Sequence, residues 1–375
     1  MDLTKLKTAG FRNLGNQTVR FSRENNAVFG ANGMGKTNLL EAIAVFGNLR
    51  SFRTASLRRA ATYGETTFRL LGTVQSENVT RSVEQIVDVG PPVQRTLRVD
   101  GAEVSVEQYL QIYPVFSITG SDRELITGGP EGRRSLLDRF VFLLTPAYLR
   151  DLRTYRQALR QRNAALTTPM TDTEMSAWEV PLAAAAARVI RGRIRGARVL
   201  ADNFSAVFEA LSGEGFPQVD LAYRTETWWS AETDLEKVED LYQQRYNETR
   251  ARDRQMGFTV EGPHRHDLSL RAGNRSVRYV LSSGQAKVVA AALKLAALAH
   301  IEKERSEHIP VIADDVDAEL DSAVLARLIV HLGSKRQFFL SSTRDEIADS
   351  VERPTRRMWL ENGTCVRQEA ETDEQ

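Results

Sequence analysis

Residues 30–38 read "GANGMGKTN", and within them Gly30, Gly35, Lys36 and Thr37 complete the pattern G-x-x-x-x-G-K-[ST]. The flanks supply the context such a loop needs. An apolar strand runs into it through Ala27–Phe29, and Leu39, Leu40, Ile43 and Phe46 follow at helical spacing from about Lys36. A glycine-rich turn between strand and helix brings bare backbone N–H groups around a phosphate chain. The lysine reaches the β and γ oxygens, and the threonine hydroxyl is offered to Mg2+. The expected ATP-binding residues are Gly30, Ala31, Asn32, Gly33, Met34, Gly35, Lys36, Thr37 and Asn38.

Far along the chain, "IPVIADDVDAELD" (Ile309–Asp321) reads as a buried strand with two carboxylates at its C-terminal end. Beside a P-loop such a pair can divide the labour: Asp314 holds Mg2+ with Thr37, and Asp315 orients or deprotonates the attacking water. Between the two motifs, "VLSSGQAKVV" (residues 280–289) opens a long apolar helix with small polar residues. Ser282, Ser283, Gly284 and Gln285 make a helix start suited to an anion, because its first N–H groups are unpaired. Leu281–Gln285 resembles the "LSGGQ" signature of ABC-type ATPases. One P-loop already holds one nucleotide's phosphates, so a second cradle is explained if it faces the γ-phosphate bound to a second subunit.

The bulk numbers are those of a globular chain: 375 residues, 42% hydrophobic, 26% charged and a net charge of +1. No global field argues for nucleic acid, yet 42 of the 50 basic residues are arginine. A lone cysteine, Cys365, excludes an internal disulfide framework and fits a reducing compartment. No signal-type stretch opens the chain and no uncharged apolar window is long enough to span a membrane, so a soluble cytoplasmic protein is expected. The five histidines show no metal-ligand spacing with Cys365.

Strands are expected at Leu3–Ala9, Thr18–Phe21, Thr67–Val74, Arg81–Val87, Arg95–Val99 and Pro114–Thr119, with an Asp-Gly hairpin at Val99–Glu103. From about Pro130 to Leu211 the chain turns rich in Ala, Leu and Arg, which predicts helices interrupted by a loop over Thr167–Ser176. Another helix is read over Leu235–Asp253. Beyond Gly257 short strands return, then the long helix from Gly284, strands at Pro310–Ala313 and Gln337–Ser341, a helix from Ser322, and a frayed tail "RQEAETDEQ". The fold class is therefore α/β: a discontinuous P-loop domain over 1–120 and 257–375, with a helical lobe over 121–256.

With these motifs placed, the chain resembles the RecF family of bacterial recombination and repair ATPases, relatives of the ATPase heads of structural-maintenance-of-chromosomes proteins. The likeness runs nearly end to end: "FRNL" (Phe11–Leu14), "GANGMGKTNLLEAI", "SFRT" (Ser51–Thr54), "GGPEGRRSLLD" (Gly128–Asp138), "LRQRNAAL" (Leu159–Leu166), "EGPHRHDL" (Glu261–Leu268), "LSSGQAK" and "IADDVDAELD". It implies an ABC-type head without a long coiled coil, which dimerises around two ATP molecules and binds double-stranded DNA at single-strand gaps or junctions. Slow hydrolysis then separates the dimer, and RecR and RecO act as mediators that help load RecA. It places the protein in DNA repair, replication and recombination, associated with the nucleoid. The chain departs from the family at His266, where an acidic residue is usual, at Asp317, and over Phe116–Leu125, which has no glutamine to sense Mg2+. Ser342, Thr343 and Arg344 stand where transporters place a switch histidine.

Two arginine sets offer candidate DNA contacts: Arg150, Arg153, Arg156 and Arg160, and Arg188, Arg191, Arg195 and Arg198. Their spacing puts each set on one helical stripe, which suits phosphates rather than base edges. Two rival readings are the ATPase engine of a membrane transporter, which predicts a switch histidine, and a chromosome-organising head, which needs long heptad arms.

Overall fold

Asn25–Phe29 (β3) is buried at every position, as expected of a strand covered on both faces. The computed structural model describes residues 1–76, 79–213, 215–226, 228–229, 234, 236–315, 322–332, 336–343 and 355–370; Asp317 and Arg344 lie outside them. β3 pairs in parallel with Phe338–Ser341 (β13) on one side and Thr355–Glu361 (β14) on the other. Val311–Asp314 (β12), Phe116–Thr119 (β8) and the antiparallel edge strand Thr364–Ala370 (β15) complete a six-stranded sheet ordered β15-β14-β3-β13-β12-β8.

Alternation along these strands separates two cores. Ala27, Phe29, Val311, Ala313, Phe338 and Leu340 join the helical core, whereas Val28, Ile312 and Phe339 join the core around Lys36–Asn48 (α1). The far side of α1 meets an antiparallel sheet ordered β2-β1-β4-β5-β6-β7: Gln17–Arg20, Asp2–Ala9, Thr67–Ser76, Val79–Asp88, Gln94–Val99 and Ala102–Glu103. Asp100 and Gly101 turn the last hairpin with φ of 50° and 84°, the paired positive values that a two-residue turn demands.

α2 (Val106–Ile112) packs Tyr109 into the α1 core; the helical part comprises α3 (Glu124–Thr127), α4 (Pro130–Leu144), α5 (Tyr148–Leu166), α6 (Asp172–Ser212) and α7 (Val238–Met256), with a three-stranded sheet of β9 (Asp220–Arg224), β10 (Asp267–Ala272) and β11 (Arg275–Ser276). α6 approaches α4 closely at Gly196, where a Cβ would lie 2.5 Å from Val141 Cγ2. α8 (Ser283–Arg305) is apolar enough to cross a bilayer by composition, but 67% of that window is buried within the protein. Among the described residues the last helix is α9 (Ser322–Leu332).

Three expectations change. The loop after α5 is shorter than Thr167–Ser176, because Thr171 caps α6 in a reciprocal box with Glu174. Arg367–Ala370 belongs to β15 instead of a frayed tail. β14 escapes the sequence reading because Arg356 and Arg357 interrupt its apolar pattern, although Met358 and Leu360 are buried.

The "QRN" and "GPHR" segments meet inside the helical part. Arg162 has no exposure and donates to Asp253 at 2.6 Å, Thr259 at 2.8 Å and Glu179 at 3.0 Å. Asn163 accepts from the Thr259 backbone N–H at 2.9 Å and hydroxyl at 2.7 Å. His264 bonds Tyr155 at 2.6 Å and the Thr259 carbonyl at 3.0 Å, and burial lowers its pKa to about 4. His266 is buried against Glu226, Tyr223 and Tyr242, so it is a packing residue here and not a surface contact.

Candidate nucleotide-binding site

Six residues connect β3 to α1, and their course requires glycine at the first. Gly30 has φ of +144°, and a Cβ there would sit 2.6 Å from the Leu360 carbonyl oxygen. The turn between β14 and β15 braces the other side of the loop: Gly363 N–H donates to the Met34 carbonyl at 2.9 Å. α1 then starts at Lys36 with no side-chain cap and no acidic residue in its first turn. Its leading N–H groups therefore face the loop with the positive end of the helix dipole, an anion site by construction. The Lys36 ammonium folds over the loop and donates to the Gly30 carbonyl at 2.7 Å and Ala31 at 3.2 Å.

Asp314 ends β12 beside this helix start. The Ser341 hydroxyl donates to it at 2.8 Å and Thr37 bonds it as well. Burial raises the Asp314 pKa against the pull of those two hydroxyls, and neighbouring Asp315 adds to the rise. Asp315 itself is exposed, held at φ of 56°, with its N–H donating to Ser341 Oγ at 3.0 Å. A non-glycine residue in the left-handed region beside a ligand cavity is the kind of local strain that functional sites retain.

A cavity of about 530 Å3 joins these parts. Asn32, Gly33, Gly35, Lys36, Thr37 and Asn38 form one wall, and Asp315 closes it. The other wall is made by residues whose roles the sequence did not announce: Arg12, Asn13, Arg53, Arg59 and Tyr63. Arg12 and Arg53 are organised from below by Glu41, a fully buried carboxylate on α1. Arg12 donates to it at 2.9 and 2.7 Å, Ser51 at 2.5 Å, and Arg53 lies 3.5 Å away. Asn38 joins the set, donating to Asn13 at 2.6 Å and accepting from Arg53 at 2.6 Å. "FRNL" and "SFRT" carry the signal, since each places an arginine in a short polar turn. The four cations Arg12, Arg53, Arg59 and Lys36 outweigh Asp315, so the cavity suits a polyphosphate.

The second helix start lies apart. No residue of Ser282–Gln285 lines this cavity. Ser282 caps α8, its hydroxyl accepting from Gln285 N–H at 3.2 Å, while Gln285 Oε1 accepts from Ser282 N–H at 3.0 Å. Ser283 accepts from Arg123 at 3.3 Å, and Gly284 faces open space. Ser282, Ser283 and Gly284 are all exposed.

The arginine stripes are partly engaged inside the chain. Arg153 pairs with Glu107, Arg156 lies 3.8 Å from Asp138, and Arg188 pairs with Asp151 at 3.1 Å, tying α5 to α6. Arg191 and Arg198 also interact within the chain. Arg150, Arg160 and Arg195 are exposed. A fifth arginine on α6, Arg193, was not anticipated as a core residue; it is buried and bonds Asp138 at 2.7 and 3.0 Å.

Known proteins share both the sequence and this architecture. The family model for the RecF/RecN/SMC N terminal domain matches residues 2–365. The DNA replication and repair protein RecF of Anaeromyxobacter sp. (strain Fw109-5) is 32% identical over 98% of this chain and 99% of its own. That of Bacillus subtilis (strain 168) is 28% identical over 98% of this chain and 100% of its own. Among solved structures, the recombination mediator protein RecF-ATPrS of the RecFOR pathway superposes with a TM-score of 0.85 at 25% identity, covering 96% of both chains. An Smc head bound to the C-winged helix domain of ScpA shares the fold more distantly, with a TM-score of 0.56 at 17% identity, covering 100% of this chain and 98% of its own. The fold is that of an ABC-type P-loop ATPase head with a helical lobe, and the chain belongs to the RecF family.

Proposed function

We propose that this chain is an ATP-switched DNA-binding protein of recombinational repair and replication, in which two copies close around two ATP molecules. The observation that carries this reading is a second helix start, Ser282–Gln285, whose Ser282, Ser283 and Gly284 are exposed and which takes no part in the P-loop cavity of the same chain. A second copy supplies what one copy lacks. The relatives named for DNA replication and repair, and the RecF structure with an ATP analogue, support the same role.

In this reading the P-loop N–H groups, Lys36, Arg12 and Arg53 hold the triphosphate. Thr37 and Asp314 are the pair that would hold Mg2+: a buried carboxyl whose charge is supported by two hydroxyls fits a dication. Mg2+ there would shield phosphate charge. Asp315 orients the attacking water and accepts its proton, and slow turnover opens the dimer. Residues 1–120 and 257–375 form the ATPase part and 121–256 the lobe. The exposed arginines Arg150, Arg160 and Arg195, with Arg153, Arg188, Arg191 and Arg198 beside them, track phosphates of double-stranded DNA at gaps or junctions, and RecO- and RecR-type mediators pass the site to a RecA-type recombinase. The test is binding to gapped and intact duplexes with and without ATP and Mg2+. ATP-dependent retention with preference for the gap is expected; retention indifferent to ATP would remove the switch.

A further inference from the structure

At the end of α1 remote from the P-loop, a cleft opens between the sheet-bearing part and helices α4 and α5. Two adjoining cavities of about 420 and 700 Å3 share Asn48, Arg50, Leu110, Leu149 and Arg156. The smaller is an apolar chamber walled by Phe52, Leu110, Leu125, Phe142, Leu149 and Leu152. Around the two stand Arg50, Arg95, Arg139 and Arg156.

Their charge is poorly balanced. Among the described residues, Arg50, Arg95 and Arg139 form no ion pair: Arg50 donates to the Ser135 hydroxyl at 3.0 Å, and Arg139 to Asn48 at 2.6 Å and the Val115 carbonyl at 3.0 Å. Arg156 comes no nearer than 3.8 Å to Asp138, a carboxylate already engaged by Arg193 and by Tyr148 at 2.6 Å. The neighbouring cations Lys294 and Arg153 are paired with Asp122 and Glu107. Burial and the nearness of Arg50 lower the Arg139 pKa to about 10 and shift Arg95 in the same direction. Cations gathered without counter-charge beside an apolar chamber call for an anionic ligand with an apolar body.

We propose that this cleft docks an acidic segment of a partner protein, which seats an apolar side chain in the chamber and sets its carboxylates against Arg50, Arg95, Arg139 and Arg156. Arginine forks match carboxylates in pairs, and aromatic and arginine side chains are enriched at interface hot spots, where an anchor fills a desolvated pocket. Nucleic acid fits less well. The chamber's amide and carboxylates are already used, Asn48 by Arg139, Asp122 by Lys294 and Asp138 by Arg193, so apart from the arginines, which take phosphate and carboxylate alike, no polar group is left to read a base edge. A phosphate backbone has no apolar group to fill the chamber.

The test is fluorescence anisotropy of the full chain with a fluorescein-labelled peptide EDEFLDEE, its Phe→Ala analogue and octaglutamate. EDEFLDEE should bind, and both the analogue and octaglutamate should bind about tenfold or more weakly. Arg50→Glu with Arg156→Glu should lose about tenfold or more, whereas Arg195→Glu on α6 should not. Leu149→Trp, which fills the chamber and leaves every charge in place, should also abolish binding. Absence of binding, equal affinity for octaglutamate, or equal loss in Arg195→Glu would overturn the proposal. So would displacement of the peptide by a short DNA duplex whose own affinity falls tenfold in the Arg50/Arg156 variant.

Discussion

Arg12→Ala isolates a charge that has almost no access to water. Glu41 is fully buried and takes two hydrogen bonds from Arg12, one from Ser51, and a looser approach from Arg53 at 3.5 Å. Removing one partner of a buried pair costs about 3–5 kcal/mol. Ser51 and Arg53 remain, and the Arg12 side chain is itself 20% exposed, which places the expected loss near the lower end, about 3 kcal/mol. The same change removes a cation from the nucleotide cavity, so ATP affinity should fall by about tenfold, the worth of one charge-assisted contact. These two effects separate in the double variant Arg12→Ala/Glu41→Gln. Without a buried charge to strand, stability should return to within about 1 kcal/mol of the parent, while ATP affinity stays low. Urea denaturation followed by circular dichroism reads the first quantity, and titration with a fluorescent ATP analogue reads the second. A double variant as unstable as Arg12→Ala would refute the unpaired-charge argument. Restored ATP affinity would show that Arg12 does not act on the nucleotide.

Lys36→Met should abolish ATP-dependent retention of DNA on a filter, and full retention in that variant would remove the P-loop from the switch. Asp315→Asn should slow ATP hydrolysis and lengthen the lifetime of the ATP dimer; faster phosphate release would rule out its role as base. His264 has a folded pKa of about 4 against an ordinary 6.5, so the unfolded chain binds the extra proton first. Its contribution is complete above pH 6.5 and is lost as pH falls toward 4, by about 2–3 kcal/mol. The pH dependence of unfolding in His264→Gln should be shallower than the parent's over that window, and an unchanged slope would discard the argument.

The P-loop, the carboxylates Asp314 and Asp315 and the capped start of α8 were legible in the sequence because each is a local device. Strand, turn and helix start lie within a dozen residues, and their residue types follow from backbone geometry. The opposite wall of the cavity was not legible. Arg12 and Arg59 are brought to it by pairings between distant segments, such as Arg12 N–H to the Ala60 carbonyl at 2.8 Å and the bridge from Phe11 to Ala61. The arginine stripes show the same limit. Spacing located their helix faces, but Glu107, Asp138 and Asp151 come from other elements or the neighbouring helix, and only the fold reveals which arginines they engage. "QRN" carried a family resemblance without a visible reason until Arg162 and Asn163 proved to anchor α7 and the segment before β10.

The central claim is that Ser282–Gln285 completes the ATP site of a second copy. Its most direct test is the molar mass in solution by light scattering, with ATP and Mg2+, for the parent, Ser282→Arg and Ser282→Asp. Aspartate keeps the helix cap and places a negative charge against the incoming phosphate, so its effect is not a folding effect. The parent should move from 42.0 kDa to twice that mass on adding ATP, while both variants remain at 42.0 kDa. A parent that stays monomeric with ATP, or an ATP-driven dimer that survives both substitutions, would contradict the account.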